Sequence, residues 1–311
     1  MRVVFLGTPE FAVPSLNALL SGGHEVAAVF TQPDRPRGRG NQLAESPVKR
    51  AAAAAGLPVH QPERIRRPEY LELLRGFAAD LMVIVGYGQI VPQSIIDLPE
   101  QGILNVHASL LPKYRGAAPI QWAIASGETQ TGVTIMQIDA GLDTGDMLLK
   151  TSAAISPDET APELSARLAP LGAQLLLQAI QQIANGVVQR EKQKEAEATY
   201  APILKKEDGL IDWSLPARRI YDRMRGFKPW PGAFTNFRNR SLLLLRAKPV
   251  DGYSLPPAAL RAANRRLVAG CGQNTALELL EVQLAGKRAM PAEAFLNGYK
   301  IAENEILGDR T

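Results

Sequence analysis

Asn105 and His107 stand two residues apart in the run NVHASLLPKYRGAAPIQ, which is too rich in Pro, Gly and Lys/Arg to be a plain strand or helix. At the end of a strand, side chains i and i+2 project to the same side. An amide donor and an imidazole placed that way converge on one point, as an oxyanion hole requires. The same spacing also suits a histidine satisfied by backbone hydrogen bonds in a loop. Further along, MQIDAGLDTGDML sets Asp143 between Gly141 and Gly145. Flanking glycines permit the tight, irregular turn that a precisely aimed carboxylate needs. Together the three residues could polarise an oxygen and take up a proton.

Other chemistries find less support. Asp139, Asp143 and Asp146 could form a hard-cation cluster, but their spacing matches no EF-hand loop. The histidines at 24, 60 and 107 lack metal-ligand spacing, and a single cysteine, Cys271, excludes an intramolecular disulfide framework and any multi-cysteine metal site. The expectation is a site without metal. GTPEFA and GYGQIV each lack glycines of the G-x-G-x-x-G dinucleotide fingerprint, and no G-x-S-x-G elbow is present. In PDRPRGRGNQ, Arg35, Arg37 and Arg39 alternate along a Pro/Gly-rich loop. Such a loop is either a solvated connection or one that folds onto phosphates.

Elements must hold these residues in place. A length of 311 residues favours two domains, and 46% apolar residues are ordinary for a globular chain. No apolar run is long enough for a membrane span, and MRVVFLGTPEF has no secretory pattern, so the expectation is a cytoplasmic protein. RVVFLG, EVAAVFT, LPVHQP, DLMVIVGY and GILNVH read as strands alternating with helical patterns, the signature of an α/β fold with a Rossmann-like, largely parallel sheet. In such sheets ligands gather at the carboxyl ends of the strands, where GYGQIV and NVHASLLP fall. APELSARLAPLGAQLLLQAIQQIANG reads as a long helix interrupted by Pro170. The spacing predicts a first domain over 1–189, a polar linker over 190–206 and a small β-barrel over 207–311. Charge divides unevenly: residues 1–206 carry 19 Lys+Arg against 20 Asp+Glu, net −1, and 207–311 carry 16 against 11, net +5. That excess points to a polyanionic partner for the second part.

Taken in order, FLGTPEFAVPSL, TQPDRPRGRG, NVHASLLPKYRGAAPIQWAI, GETQTGVTIMQIDAGLDTGDML and FKPWPGAF closely resemble the methionyl-tRNA formyltransferases, over nearly the whole chain. The resemblance implies a Rossmann-like formyltransferase domain using 10-formyltetrahydrofolate, a C-terminal β-barrel resembling an OB fold that binds tRNA, and transfer of formyl to the amino group of initiator methionyl-tRNA for translation initiation. By motif it implies Asn105, His107 and Asp143 as catalytic residues. It also implies folate contacts from Ser109, Leu110, Leu111 and Pro112 and from Gly86, Tyr87 and Gly88, and tRNA contacts from Arg35, Arg37 and Arg39. Where related loops follow GRG with lysines, Asn41 and Gln42 stand here, and Arg37 adds a charge beforehand. A monomer without membrane partners is expected. Relatives that formylate an amino sugar nucleotide or glycinamide ribonucleotide share the same Asn, His and Asp set, and the arginine loop speaks for tRNA.

Overall fold

The computed structural model describes residues 1–37, 42–303 and 305–308. Among the described residues the chain forms β1 (Arg2–Gly7), α1 (Val13–Ser21), β2 (Glu25–Phe30), β3 (Arg35–Arg37), β4 (Gln42–Ala44), α2 (Pro47–Ala54), β5 (Val59–His60), α3 (Pro68–Gly76), β6 (Leu81–Val85), α4 (Gln93–Ile96), β7 (Ile103–His107), α5 (Pro119–Ala125), β8 (Gln130–Gln137), β9 (Met147–Ala154) and α6 (Ala161–Ala184). There follow α7 (Ala217–Gly226), β10 (Phe234–Phe237), β11 (Arg240–Val250), β12 (Leu260–Ala263), β13 (Arg266–Cys271), β14 (Thr275–Leu284), β15 (Met290–Pro291) and α8 (Ala292–Gly298).

β1 and β6 are continuous apolar runs because both their faces are buried, as in the middle of a parallel sheet. The seven strands are ordered β5-β2-β1-β6-β7-β8-β9. Five are paired parallel; β8 runs antiparallel to them beside β7, and β9 pairs antiparallel with β8 at that edge. The order reverses between β1 and β6, and in open α/β sheets ligands gather at the carboxyl ends of the strands at such a point. A polar knot ties these ends together: the Tyr87 carbonyl accepts from Thr8 Oγ1 and from Gln32 Nε2, each at 3.1 Å.

The helix expected to break at Pro170 runs on through it. Leu164, Leu168, Ala169, Ala173, Leu176, Ala179 and Ile180 are buried. The burial of that stripe outweighs the one backbone hydrogen bond that proline removes. Gly172 sits in this stripe, behind the sheet: a Cβ there would lie 2.8 Å from Val106 Cγ1 and 3.3 Å from Val133 Cγ1. Val106 therefore points toward α6. By strand alternation, Asn105 and His107 point to the other face.

The chain divides into two compact units, residues 1–120, 130–154 and 163–203 in the first and 121–129, 155–162 and 204–311 in the second. The segment read as a linker, 190–206, thus belongs to the first unit as far as Ile203. In the second unit the strands are antiparallel, ordered β10-β11-β14-β13-β12 with β15 on β14. Among the described residues no ladder joins β10 to β12, so backbone pairing does not close the sheet into a barrel. Ile220 and Met224 of α7 join Trp213, Phe237, Leu244 and Phe295 in its core. A buried pair, Arg225 Nε to Asp222 Oδ1 at 2.9 Å, helps bind in the earlier segment: the guanidinium also donates to the carbonyls of Ser156 at 3.2 Å and Glu159 at 3.0 Å. Cys271 is buried there, which pushes its thiol up to about 12 and leaves it inert.

Gly172→Val should drive a stiff, branched side chain into Val106. Urea denaturation should show a loss of roughly 1–3 kcal/mol, the usual cost of overpacking a filled interior.

Candidate active site

β7 ends at His107, and its ladders fix the site's framework. Asn105 is paired with Ile84 of β6 on one side and Met136 of β8 on the other, and His107 faces Thr134. Asn105 and His107 are both buried, at 9% and 5% exposure. Asp143 reaches them from the β8–β9 connection with a positive φ of 51°. Its turn is closed by Gln137 N donating to the Asp146 carbonyl at 2.8 Å, and braced by Asp139 Oδ1, which accepts from Gly141 N at 3.0 Å and Thr144 Oγ1 at 2.7 Å. Both glycines are obligatory for packing: a Cβ on Gly145 would lie 1.8 Å from the Gln137 carbonyl oxygen, and one on Gly141 2.0 Å from Thr144 Oγ1.

The three side chains named from the sequence meet. Asn105 Nδ2 donates to Asp143 Oδ1 at 3.2 Å, and Asp143 Oδ2 accepts from Gly116 N at 2.8 Å while lying 3.6 Å from His107 Nδ1. His107 Nε2 is 3.0 Å from the Tyr114 carbonyl. Both ring nitrogens therefore face oxygens. The Asn105 amide has a second N–H beyond the one given to Asp143. Such a cluster can polarise an oxygen, carry a proton and receive one.

The loop after β7 is held by its own polar groups. Ser109 Oγ donates to the Lys113 carbonyl at 2.6 Å, and Thr134 Oγ1 donates to the Ser109 carbonyl at 2.7 Å while accepting from Leu111 N at 3.2 Å. Ser109 and Leu111 are buried, and Leu110 and Pro112 are partly exposed. At the end of β6, Gly86 and Gly88 are exposed with φ of 57° and 82°. Tyr87 turns its ring into the core beside Leu6, Phe30 and Ile84. Burial raises its phenol well above the ordinary range, and its carbonyl is taken up by Thr8 and Gln32. Ile90, just beyond, is 91% exposed and presents an apolar face at the same edge.

Arg35 and Arg37 lie on β3, which pairs with β4 as a small hairpin through Arg35↔Ala44, Pro36↔Leu43 and Arg37↔Gln42. Arg35 is exposed, and Arg39 lies outside the described residues. The hairpin's base is anchored by Asp34, which accepts from Lys49 Nζ at 2.5 Å and Gln61 Nε2 at 2.7 Å. Those two donors hold the Asp34 carboxyl below its usual range. Asp139 and Asp146 do not join Asp143, and among the described residues no group of three His, Cys, Asp or Glu could hold a metal ion.

The sequence reading passed over three groups that complete the site. Gly116 supplies a backbone donor, Thr134 staples the loop, and Gln193 Nε2 donates to the carbonyls of Asp143 and Gly145, both at 2.8 Å. Gln193 lies 48 or more residues from its partners and Gly116 acts through its backbone, so neither leaves a local pattern to detect.

A family model described as formyl transferase matches residues 1–180, and one described as formyl transferase, C-terminal domain, matches 203–300. A Solibacter usitatus protein named methionyl-tRNA formyltransferase is 59% identical over 311 residues, covering 99% of each chain. Its namesake from Koribacter versatilis is 55% identical over 309 residues, again 99% of each. Among solved structures, WlaRD, a sugar 3N-formyl transferase crystallised with dTDP and 5-N-formyl-THF, superposes with a TM-score of 0.68 at 18% identity, covering 93% of this chain and 99% of its own. HypX from Aquifex aeolicus in complex with tetrahydrofolic acid gives 0.63 at 17% identity, covering all of this chain and 51% of that one. At these identities the structural likenesses speak for the fold alone.

Gly145→Ala would push the turn off the Gln137 carbonyl and shift the Asp143 carboxylate. Turnover should fall by about 100-fold, the scale of a 1 Å misplacement, while circular dichroism shows the fold retained.

Proposed function

The chain belongs to the methionyl-tRNA formyltransferase family, and from that premise we propose that Asn105, His107 and Asp143 carry formyl transfer from 10-formyltetrahydrofolate to the amino group of initiator methionyl-tRNA. The observation that supports these roles is the single carboxylate, Asp143, bonded to Asn105 and Gly116 and within ion-pair reach of His107 at a strand's carboxyl end.

The folate supplies a formyl group on a nitrogen. The amine that attacks it gains a bond to carbon and must lose a proton, while charge grows on the formyl oxygen. The second N–H of Asn105 donates to that oxygen, and His107 stabilises it or shuttles the proton. The bond from the formyl carbon to the folate nitrogen then breaks and that nitrogen leaves with a proton, while Asp143 orients His107 and accepts or relays the proton the amine gives up. Removing one such donor costs about 100- to 1000-fold in rate. Juxtaposing the two substrates contributes further acceleration.

For the folate, the exposed backbone at Gly86 and Gly88 on either side of Tyr87 and the apolar face of Ile90 suit a flat, polar-edged ring, with Ser109 to Pro112 closing on it from the β7 side. For the tRNA, Arg35, Arg37 and Arg39 supply cations beyond β2, and residues 207–311 carry the chain's net positive charge. We take the protein to work as a monomer in the cytoplasm; no helix among the described residues is long and apolar enough to cross a membrane.

The direct test is formyl transfer to charged initiator methionyl-tRNA, run beside an amino sugar nucleotide; turnover on the sugar alone would overturn the reading. Asn105→Ala should lower kcat by about 100- to 1000-fold and leave folate affinity within a few-fold, as equilibrium binding would report. Arg35→Ala should raise the KM for tRNA severalfold, leave that for folate unchanged and lower the slope of log affinity against log salt by about 1.

A further inference from the structure

We propose that Gln193 is a positioning residue for the reaction, holding the backbone of Asp143 in its catalytic pose with Arg115 as its fixed support. The proposal rests on the reading of Asp143 as catalytic. Its geometry is that of a bracket with two grips on one residue. Gly116 N holds the Asp143 carboxylate at 2.8 Å, and Gln193 Nε2 holds the Asp143 and Gly145 carbonyls, each at 2.8 Å. On its other side, Gln193 Oε1 accepts from Arg115 Nε at 3.0 Å.

Arg115 is a rigid partner. Only 1% of it is exposed, its Nη1 donates to Glu195 Oε2 at 2.7 Å, and its backbone is pinned between the Thr199 carbonyl at 2.9 Å and Ala201 N at 2.7 Å. The residue after it is Gly116, so one short stretch of chain anchors both grips.

The chemistry of the bracket demands an amide. Two carbonyl oxygens need donors on one side of Gln193, and a guanidinium N–H needs an acceptor on the other. A glutamate would satisfy the arginine and confront both carbonyls with another oxygen. A methionine would fill the space and satisfy neither. The need for a bracket follows from the backbone: Asp143 has φ of 51°, a conformation that a residue with a Cβ holds only where its surroundings over-determine it.

The experiment compares Gln193→Glu, Gln193→Met, Asp143→Asn and the double variant Asp143→Asn/Gln193→Met, in the full-length protein with methionyl-tRNA and 10-formyltetrahydrofolate. Both Gln193 variants should lose about 10- to 100-fold in kcat with both KM values within about twofold, because a displaced carboxylate spoils the transition state rather than binding. In single-turnover assays at high enzyme concentration, adding Gln193→Met to Asp143→Asn should cost less than about twofold, since a residue that acts through Asp143 has nothing left to position. Unfolding temperatures recorded alongside should show Gln193→Glu close to wild type, as it keeps its bond to Arg115.

Wild-type kcat in Gln193→Glu would overturn the bracket, because a purely structural link to Arg115 would then suffice. Losses that multiply in the double variant would overturn it equally. If Asp143→Asn alone turned over normally, the catalytic reading of Asp143 would fall, an outcome distinct from a dead Asp143→Asn beside a fully active Gln193→Met, which would remove the bracket only.

Discussion

A carboxylate drawn out of water must be met by donors, because burial without them costs more than folding can spare. Asp143 states that requirement for the whole first unit. Its oxygens are met by the Asn105 amide and Gly116 N and lie near His107, and its carbonyl by Gln193. Each of these groups comes from a different part of the chain: a strand end, a loop, the polar segment after α6. The sheet, the 108–116 loop and the stretch from Glu191 to Ala201 are therefore arranged by one need, to bring those donors to one carboxylate.

The sheet meets that need through two asymmetries. Its parallel strands deliver their carboxyl ends to one edge, and the β8–β9 connection, which leaves Gln137 beside Leu104 near the start of β7, doubles back so that its carboxylate reaches Asn105 and His107. Asp143 thus arrives opposite β7, although it lies 38 residues beyond Asn105. The same edge separates the tasks. With strands about 4.8 Å apart, the basic hairpin after β2 begins three strands, roughly 14 Å, from β7. On the proposed reading, charge placed there would meet a portion of the tRNA remote from the reacting end. It can raise affinity without perturbing the polar cluster at β7.

Much of this was legible. The N-x-H spacing implied convergence on one face, and strand alternation, confirmed by Val106 turning toward Gly172, produces it. The glycines around Asp143 implied an irregular turn, and their missing side chains are what the Gln137 carbonyl and Thr144 require. What escaped was nonlocal or contrary to common turn chemistry. In the second unit, Arg238–Asn239 and Asn264–Arg265 turn hairpins with positive φ at both residues, where the usual signal is Asn-Gly or Asp-Gly. Pro170 looked like a helix break because propensity is local, whereas the apolar stripe that overrides it is tertiary. Tyr87 sits within a motif read as ligand-facing, yet its ring packs in the core, a choice of rotamer that sequence does not display.

The stretch 190–206 was hardest to read, and the reason is physical. Its composition is polar and charge-mixed, which describes a solvated connector equally well as a strand-like strap bonded through its backbone. Glu191 bridges Met147 and Tyr200 bridges Arg115, with partners 44 and 85 residues away in sequence. Backbone bonds of this kind need no particular side chains, so they leave almost no mark on the sequence. Cutting the chain at 189 would keep every strand of the seven-stranded sheet and all three catalytic candidates. It would also strip the donors from the Asp143 and Gly145 carbonyls, expose Arg115, and leave the carbonyl of Arg115 and the N–H of Tyr114 without the groups that now meet them. The polar cluster's last support therefore lies near Ile203, where the first compact unit ends, and the strap that completes it is the same chain that continues into the second.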